Sequence, residues 1–335
     1  MSAIERFAER ARTVSRTIVL PEGQDPRVVV AANMAIDNKV VGKIIVLGTE
    51  EEIAAACAKA GITERKFETL DYLKSPLFGD FANELYEMRK AKGLTPDKAE
   101  KMMSSRIYFG AMMCRRNLVD GLVAGSIAST ADMLRAAFHC IGTAKGIKSA
   151  SSTFVMGLKE PTESGDDVLL FADCGVNPCP DADQLVDIAF ATSKSYQAML
   201  GKTPRVAFLS FSTKGSAEHE SLLKIREAAA KFAQKIADEK LDILCDGELQ
   251  ADAAIVPSVG KAKAPGSPVA GSANVLIFPD LNCGNICYKL VQRLGKAEAY
   301  GPVLQGLAKP LNDLSRGCSA EDIYGEIVIT VCQSL

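Results

Sequence analysis

The chain has 335 residues, of which 47% are hydrophobic and 24% charged, enough for one large or two medium globular domains. Its formal net charge of -2 gives no reason to expect nucleic acid or an acidic membrane surface as a partner. No run of about 18 apolar residues occurs and the N-terminus reads as an amphipathic helix, so neither a membrane span nor a signal peptide is expected. We therefore predict a cytoplasmic protein whose 10 cysteines are reduced thiols in apolar surroundings.

The predicted elements alternate between short β-branched runs and longer helical stretches. Residues 17–20 and 43–48 predict strands on either side of a helix at 25–38, which is a βαβ unit with parallel strands. Further strands are predicted at 119–125, 168–173, 205–210, 241–245, 274–278 and 327–331, with helices between them such as 219–236. This alternation indicates an α/β fold with helices on both faces of mainly parallel sheets.

The number of predicted strands is too large for one sheet in a chain of this length. Composition changes near residues 143–148 and 300–302 predict a second domain inserted into the first. The expected boundaries place 1–146 plus 303–335 in the first α/β domain and 147–302 in the inserted one. Residues 260–271, rich in glycine and proline, are predicted to form a long exposed loop.

Several common cofactor and metal motifs are missing from the sequence. No Gly-x-Gly-x-x-Gly follows a strand and no P-loop motif occurs, so a nicotinamide or P-loop nucleotide site is not supported. Cys283 and Cys287 lack a second ligand pair, and neither His139 nor His219 has metal-ligand spacing. His139 lies in an apolar helical stretch and is predicted to be a hydrogen-bonded core residue. We expect chemistry performed by arginines, carboxylates and helix ends, without a metal.

Three segments are candidates for binding an anion. The first, residues 125–130, follows a strand and opens a helix, where backbone amides favour negative charge. Ser129 and Thr130 can cap the helix or donate to a ligand there, and Arg135 lies one turn further on. A plain helix cap with a solvated arginine explains the same residues, and both interpretations stay open.

The second segment is residues 274–286. Pro279 ends a strand, and Asn282 and Gly284 suit unusual backbone angles in a loop at the carboxyl end of that strand. Ligands of open α/β sheets bind at such strand ends. A connecting loop with good helix caps is the alternative.

The third segment is residues 310–323. Ser315, Arg316 and Asp322 combine a hydroxyl, a permanent cation and a carboxylate near a helix start, and the arginine fork suits phosphate oxygens. The spacing of Ser319 and Asp322 also fits a capping box, which would make the carboxylate a structural cap. Both roles of Asp322 stay open from the spacing.

This third segment carries a resemblance to a known family. The run Pro310-Leu311-Asn312-Asp313-Leu314-Ser315-Arg316-Gly317 resembles the C-terminal motif of the phosphate acetyltransferases. Further resemblances follow in family order over some 300 residues, at 17–23, 86–93, 171–180 and 278–285. Several motifs in order are more specific than any one of them alone.

The resemblance implies a fold, a reaction and site residues. The expected fold is two three-layer αβα domains, similar to isocitrate dehydrogenases, with the active site in the cleft between the domains. The expected oligomeric state is a homodimer. The expected reaction is reversible acetyl transfer between coenzyme A and phosphate, with coenzyme A as substrate, no permanently bound cofactor, and acetate kinase as functional partner. Ser315, Arg316 and Asp322 are implied in the active site, and Arg89 and Arg135 in binding coenzyme A or phosphate.

Other residues of these segments are candidate substrate contacts: Ser129, Thr130, Asn312, Asn282, Gly284 and Cys318. For Cys318, covalent catalysis is conceivable, but packing near the site is favoured because no base is paired with the thiol. For Arg89, the alternative is a cation that complements the dipole at a helix C-terminus.

The predicted mechanism is direct attack of the coenzyme A thiol on acetyl phosphate in a ternary complex, with Asp322 accepting the thiol proton. Alternatives are a transferase for longer acyl chains such as butyryl, a noncatalytic acetyl-CoA or acetyl-phosphate sensor, and a metal-dependent dehydrogenase. The intact Ser315, Arg316 and Asp322 argue against the sensor. The lack of clustered acidic ligands and of a nicotinamide motif argues against the dehydrogenase.

Overall fold

The computed structural model describes residues 2–335, which divide into two compact units. The discontinuous unit comprises Ile4–Ala144 and Leu307–Leu335, and the central unit comprises Lys145–Gly306 with the residues that precede Ile4. The domain boundary expected at 302/303 falls inside a strand that ends at Gln305, so the division in the structure lies a few residues later.

The discontinuous unit is built on a five-stranded sheet in the order β11-β4-β1-β2-β3, in which every neighbouring pair is parallel. The strands are β1 Thr17–Leu20, β2 Lys43–Leu47, β3 Glu68–Leu70, β4 Gly121–Ala124 and β11 Leu311–Asp313. The central strands β1 and β4 are almost wholly buried, as expected where helices cover a parallel sheet.

The helices of this unit begin where the sequence supplies caps. They are α1 Ala3–Ala11, α2 Pro26–Asp37, α3 Glu50–Ala60, α4 Leu77–Arg89, α5 Pro96–Met103, α6 Arg106–Arg115, α7 Thr130–Ala136 and α13 Ala320–Gln333. Asp25 caps α2, and Pro26 occupies the first helical position, where a missing N–H costs nothing. Capping boxes start α3 and α13.

The central unit contains a six-stranded sheet in the order β10-β5-β6-β9-β7-β8. Its strands are β5 Ser151–Gly157, β6 Val168–Ala172, β7 Arg205–Leu209, β8 Leu244–Leu249, β9 Val275–Ile277 and β10 Glu298–Gln305. The strands from β6 to β8 are parallel, while β5 pairs antiparallel with both β6 and β10. Its helices are α8 Ala182–Leu200, α9 Glu220–Glu239, α10 Ala251–Ile255, α11 Pro257–Lys263 and α12 Leu281–Leu294. The predicted α/β class with mainly parallel sheets is confirmed.

One local prediction is wrong, and another holds only in part. Residues 327–331, predicted as a strand, lie in α13, where every residue from Gly325 to Cys332 is buried. A helix buried on all sides loses its amphipathic period, so its β-branched run resembles a strand. Residues 260–271, predicted as an exposed loop, include the end of α11, and Gly260, Ala264 and Val269 are buried.

The cysteines and the hydropathy of the helices give two further findings. All ten cysteines are free thiols; six are buried, but Cys179 and Cys283 are exposed, so those two do not fit the predicted apolar surroundings. Among residues 2–335, no helix has the length and apolar character needed to cross a membrane.

Candidate active site

Three neighbouring strands of the discontinuous unit end at the same edge of their sheet. Because β1, β4 and β11 are parallel neighbours, the segments that follow them lie side by side. These segments are residues 21–25, the β4 turn (residues 125–128) and the β11 turn (residues 314–319). Carboxyl ends of parallel strands are the usual ligand-binding edge of an α/β sheet.

The β4 turn binds an anion that belongs to the protein. Oε2 of Glu22 accepts hydrogen bonds from the amides of Gly125 and Ser126, each at 2.8 Å, and from the Ser126 hydroxyl at 2.9 Å. Oε1 accepts from the amides of Ile127 at 3.0 Å and Ala128 at 2.7 Å. The concentration of amides predicted for this segment is therefore present, but a buried glutamate occupies it.

Gly125 permits the close approach of the β4 and β11 turns. Its φ is +111°, a conformation that favours glycine. A Cβ at this position would lie 2.3 Å from Oδ1 of Asp313 and 2.6 Å from the amide nitrogen of Leu314. The amide of Leu314 in turn donates to the carbonyl oxygen of Ala124 at 2.8 Å. Any side chain at position 125 would push the two turns apart.

The other residues predicted around the first segment have partners within the protein. Ser129 is the N-cap of α7 and accepts from the amide of Asp132 at 3.2 Å, which is the capping interpretation. Arg135 is exposed and forms an ion pair with Asp132. The side chain of Thr130 lies close to that of Asp313 and opposes the rise in the pKa of that carboxyl. Of these residues, Arg135 is the one whose exposed charge leaves it accessible to a ligand.

Arg27 anchors the β11 turn to the rest of the site. Its Nη1 donates to the carbonyl oxygens of Arg316 at 2.9 Å and Cys318 at 2.7 Å, and its Nη2 donates to that of Ser126 at 3.0 Å. The same guanidinium forms an ion pair with Asp25 at 2.6 Å. Burial opposes ionisation of Asp25, but hydrogen bonds from Arg27 outweigh burial and hold the pKa of the carboxyl below its usual value.

The sequence contains a signal for Arg27, although no role was predicted for this residue. An arginine in the first turn of a helix opposes the helix dipole, so it needs a compensating partner. The run Asp25-Pro26-Arg27 places a carboxylate two residues before that cation. Glu22 gave no such local signal.

The catalytic candidates of the third segment lie on the β11 turn and the first turn of α13. Ser315, Arg316 and Asp322 are all exposed. Among residues 2–335, the Arg316 side chain makes no hydrogen bond or ion pair, so its guanidinium is free for an anionic ligand. Ser315 Oγ accepts from the amide of Gly317 at 3.3 Å, and its own hydroxyl hydrogen stays available.

Asp322 has the capping contacts that its spacing predicted. Its amide donates to Oγ of Ser319 at 3.1 Å, and its Oδ2 accepts from the amide of Ser319 at 2.8 Å. Within the described chain, Oδ1 of Asp322 has no hydrogen bond. One carboxylate oxygen thus holds the helix start while the other can accept a proton from a ligand.

Two neighbouring candidates have mainly structural contacts. Asn312 is fully buried and its amide group donates to Thr330 at 2.8 Å and Gln333 at 2.6 Å, which fixes β11 to α13. Cys318 is buried, and burial raises the pKa of its thiol although the charge of Arg27 opposes this. A thiol with a raised pKa is a poor nucleophile, which supports packing over covalent catalysis.

Beneath this segment lie two buried carboxyl groups that sequence reasoning missed. Asp313 and Glu326 are 2% and 4% exposed. Burial, with the charge of Glu22 in addition, raises the pKa of Asp313 to about 6, although a hydrogen bond from Thr130 opposes the rise. Burial, with the charges of Asp313 and Asp322 in addition, raises the pKa of Glu326 to about 8.

A second cationic region surrounds His139. Burial lowers the pKa of His139, and the nearby charges of Arg89, Arg135 and Lys92 lower it further. Arg89, at the end of α4, has no hydrogen bond or ion pair from its side chain within residues 2–335. His139 accepts from or donates to the Tyr108 hydroxyl at 2.9 Å, as expected for a satisfied histidine. The structure thus brings Arg89 and Arg135 to one basic cluster.

Asn282 and Gly284 lie in the central unit. They belong to the first turn of α12, capped by Asp280, so the predicted loop with unusual backbone angles is wrong. Gly284 allows α12 to approach the backbone just after β6 closely, because a Cβ at position 284 would lie 2.3 Å from the carbonyl oxygen of Asp173. Asn282 is exposed near the helix start.

Within residues 2–335, no group of three or more histidine, cysteine or acidic side chains has an arrangement that could hold a metal ion.

The sequence profile described as Phosphate acetyl/butaryl transferase matches residues 2–331. The chain belongs to this phosphate acyltransferase family.

Individual relatives of this phosphate acyltransferase are similar to it over all or nearly all of their length. The chain is 48% identical over 334 residues to the phosphate acetyltransferase of Thermoanaerobacterium thermosaccharolyticum, covering 100% of both proteins. It is 49% identical to that of Acetivibrio thermocellus, covering 100% of this chain and 98% of the relative. The solved structure of the EutD phosphotransacetylase from Staphylococcus aureus superposes with a TM-score of 0.92 at 40% identity, with complete coverage of both chains.

Proposed function

We propose that this protein is a phosphate acetyltransferase, which moves an acetyl group reversibly between coenzyme A and inorganic phosphate. The full-length similarity to proteins of that name carries the proposal. Two exposed groups close in sequence support it chemically: the guanidinium of Arg316, which has no partner among residues 2–335, and the carboxylate of Asp322, which keeps one oxygen without a hydrogen bond there. A noncatalytic sensor is disfavoured because such a protein needs no acceptor for a thiol proton.

In the proposed reaction, the coenzyme A sulfur attacks the carbonyl carbon of acetyl phosphate. A carbon–sulfur bond forms, the bond between the carbonyl carbon and the phosphate oxygen breaks, and phosphate leaves with the electron pair. The thiol proton passes to Oδ1 of Asp322 and then to solvent. An ordinary aspartate and an ordinary thiol differ in pKa so far that full proton transfer costs about 6 kcal/mol. Proton loss therefore accompanies carbon–sulfur bond formation.

Arg316 and Ser315 would act on the phosphoryl end of the substrate. A guanidinium fork binds two phosphate oxygens at once and stabilises the negative charge that develops as phosphate leaves. The free hydroxyl hydrogen of Ser315 can donate to the reacting carbonyl or to the phosphate. Arg27 donates hydrogen bonds to the carbonyl oxygens of Arg316 and Cys318. It therefore fixes the backbone of the β11 turn, from which the side chains of Ser315 and Arg316 project.

Arg89 and Arg135 would bind the phosphates of coenzyme A. Both contribute charge to the basic cluster around His139, and Arg89 has no acidic partner within the described chain. Two arginines that repel each other across a histidine are stabilised by a bound polyanion. Coenzyme A acts here as a substrate, and no permanently bound cofactor is part of the proposal.

The remaining expectations concern surroundings and partners. We place the enzyme in the cytoplasm with acetate kinase as its functional partner, which consumes or supplies acetyl phosphate.

A homodimer is supported by an apolar stripe on α12, where Ile286, Leu290 and Leu294 are 58%, 51% and 78% exposed at successive turns. A single Leu294→Lys substitution should shift the mass measured by light scattering from dimer to monomer.

One assay tests the reaction and its acyl preference together. Purified protein is mixed with coenzyme A and either acetyl phosphate or butyryl phosphate, and thioester absorbance is followed before and after chelation. The proposal expects rapid turnover of acetyl phosphate that survives chelation. Preference for butyryl phosphate would make the protein a butyryltransferase, and absence of thioester with both donors would refute acyl transfer.

A further inference from the structure

Two buried carboxyl groups below the β11 turn lack the partners that such groups normally have. Oδ1 of Asp313 and Oε1 of Glu326 are inaccessible to solvent and have no hydrogen bond. Asp313 is the last residue of β11, two positions before Ser315. Glu326 lies one helical turn after Asp322 on α13. Both groups therefore lie directly behind the residues proposed to bind and activate acetyl phosphate.

The charges around the two carboxyl groups are mainly negative. Asp313 and Asp322 both act on Glu326, and Glu22 acts on Asp313. Of the elements packed on α13, β4 carries no charged residue, and the cation that α2 brings, Arg27, is paired with Asp25. Charges of Glu5, Arg10 and Arg12 from the α1 region act on Tyr324 and Cys332 of the same helix.

Glu22 shows how this protein accommodates a buried carboxylate that is charged. That side chain accepts five hydrogen bonds from the β4 turn. Among residues 2–335, no hydrogen-bond donor to the side chain of Glu326 is present, and the one polar side chain that favours the charged form of Asp313 is Thr130. An ionised carboxylate without donors is costly, so this pair is built for a protonated state.

We propose that Asp313 and Glu326 form a buried carboxyl pair that retains a proton when acetyl phosphate binds, and that both are positioning residues for the β11 turn. The inference rests on the proposed function, because it assigns the anion bound at Arg316 to acetyl phosphate. Neither residue touches the substrate; each acts through the charge it places close to Asp322 and the β11 turn.

The coupling follows from linkage between proton binding and anion binding. A neutral pair adds no charge beneath the β11 turn, and an ionised pair adds negative charge that repels a bound anion. Acetyl phosphate therefore binds more tightly to the protonated form, and its binding draws protons from solution near the pKa of Glu326. As pH rises through about 8, Glu326 ionises and the affinity for acetyl phosphate falls.

The first test compares Glu326→Gln with the unmodified enzyme. Glutamine mimics the neutral carboxyl group and cannot ionise. The KM for acetyl phosphate should be similar in the two proteins near pH 6.5, and about 3- to 10-fold higher in the unmodified enzyme near pH 9. The ratio of the two KM values at each pH is independent of the titration of the coenzyme A thiol, because that titration affects both proteins equally. The ratio of the two kcat values should stay constant with pH.

Two further variants separate this effect from general charge and from packing. Glu321→Gln removes an exposed carboxylate from the same helix turn as Asp322 and should leave the pH profile of the unmodified enzyme unchanged. Asp313→Asn removes a neighbouring negative charge, which lowers the pKa of Glu326, so the rise in KM should shift to lower pH. Parallel profiles in all four proteins would overturn the proposal.

A second measurement uses the unmodified protein, so it stands even if a variant fails to fold. Acetyl phosphate binding without coenzyme A is measured by calorimetry near pH 8 in two buffers with different ionisation enthalpies. Proton uptake is expected, and its absence would contradict the proposal. An enzyme that forms no thioester but takes up protons on binding would instead contradict the proposed function alone.

Discussion

The β4 turn and the β11 turn follow adjacent parallel strands, yet they differ in what fills them. Five donors of the β4 turn are bound by Glu22, so its anion site is complete within the fold. The β11 turn has no acidic partner for Arg316 in the described chain, and its capping carboxylate Asp322 keeps one oxygen free. The β4 turn thus has a structural role, and the β11 turn is open to a ligand.

This difference shows that a helix start after a strand is not by itself a substrate site. Amides at such a position attract negative charge from whichever source lies nearest. In the β4 turn the source is a glutamate 103 residues away in sequence from the first amide it binds. Side chains that have no partner in the described chain, such as Arg316, are therefore better candidates for binding substrate at this edge.

The largest expected effect comes from breaking the open turn. Asp322→Asn keeps the size of the side chain but cannot accept a proton, and Arg316→Lys keeps the charge but loses the fork. Each should lower kcat by about 100-fold or more with a melting temperature close to that of the unmodified enzyme. Steady-state assays and thermal unfolding check this, with Glu321→Gln as the control. Near-normal turnover in both variants would remove the catalytic assignment.

Breaking the closed turn should affect stability first. In Glu22→Gln, one acceptor oxygen becomes an NH2 group that faces backbone N–H donors, so the free energy of unfolding should fall by about 2 to 4 kcal/mol. Urea unfolding measures the loss. The exposed Glu51→Gln serves as control and should change stability by less than about 0.5 kcal/mol. A stable Glu22→Gln variant with lost activity would mean that the β4 turn binds substrate.

A smaller effect is expected in the basic cluster around His139. Arg89→Ala should raise the KM for coenzyme A by about 10-fold and leave the KM for acetyl phosphate unchanged, since it removes a phosphate contact alone. Lys90→Ala, at the same helix end but paired with Glu87, is the matched control. Equal KM values for coenzyme A in both variants would assign Arg89 to the helix dipole.

Sequence reasoning succeeded where the determining contacts are local. The caps at Ser129 and Ser319 were predicted because their partners lie three residues away, and β1, β2 and α2 followed from short-range periodicity. It failed for the strand predicted at 327–331, because complete burial of α13 removed the period that distinguishes a helix. Glu22, Asp313 and Glu326 gave no signal, since their roles depend on contacts between distant segments.

Chain order has a consequence for synthesis of the enzyme. β11 and α13 follow the whole central unit in sequence, although they complete the sheet that begins with β1. While the ribosome is still adding the final residues, β4 remains an open edge with unpaired backbone groups. Such a nascent chain can already hold Glu22 in the β4 turn but carries neither Arg316 nor Asp322. A chain that stops before β11 therefore lacks both residues proposed for acyl transfer, together with the buried helix α13.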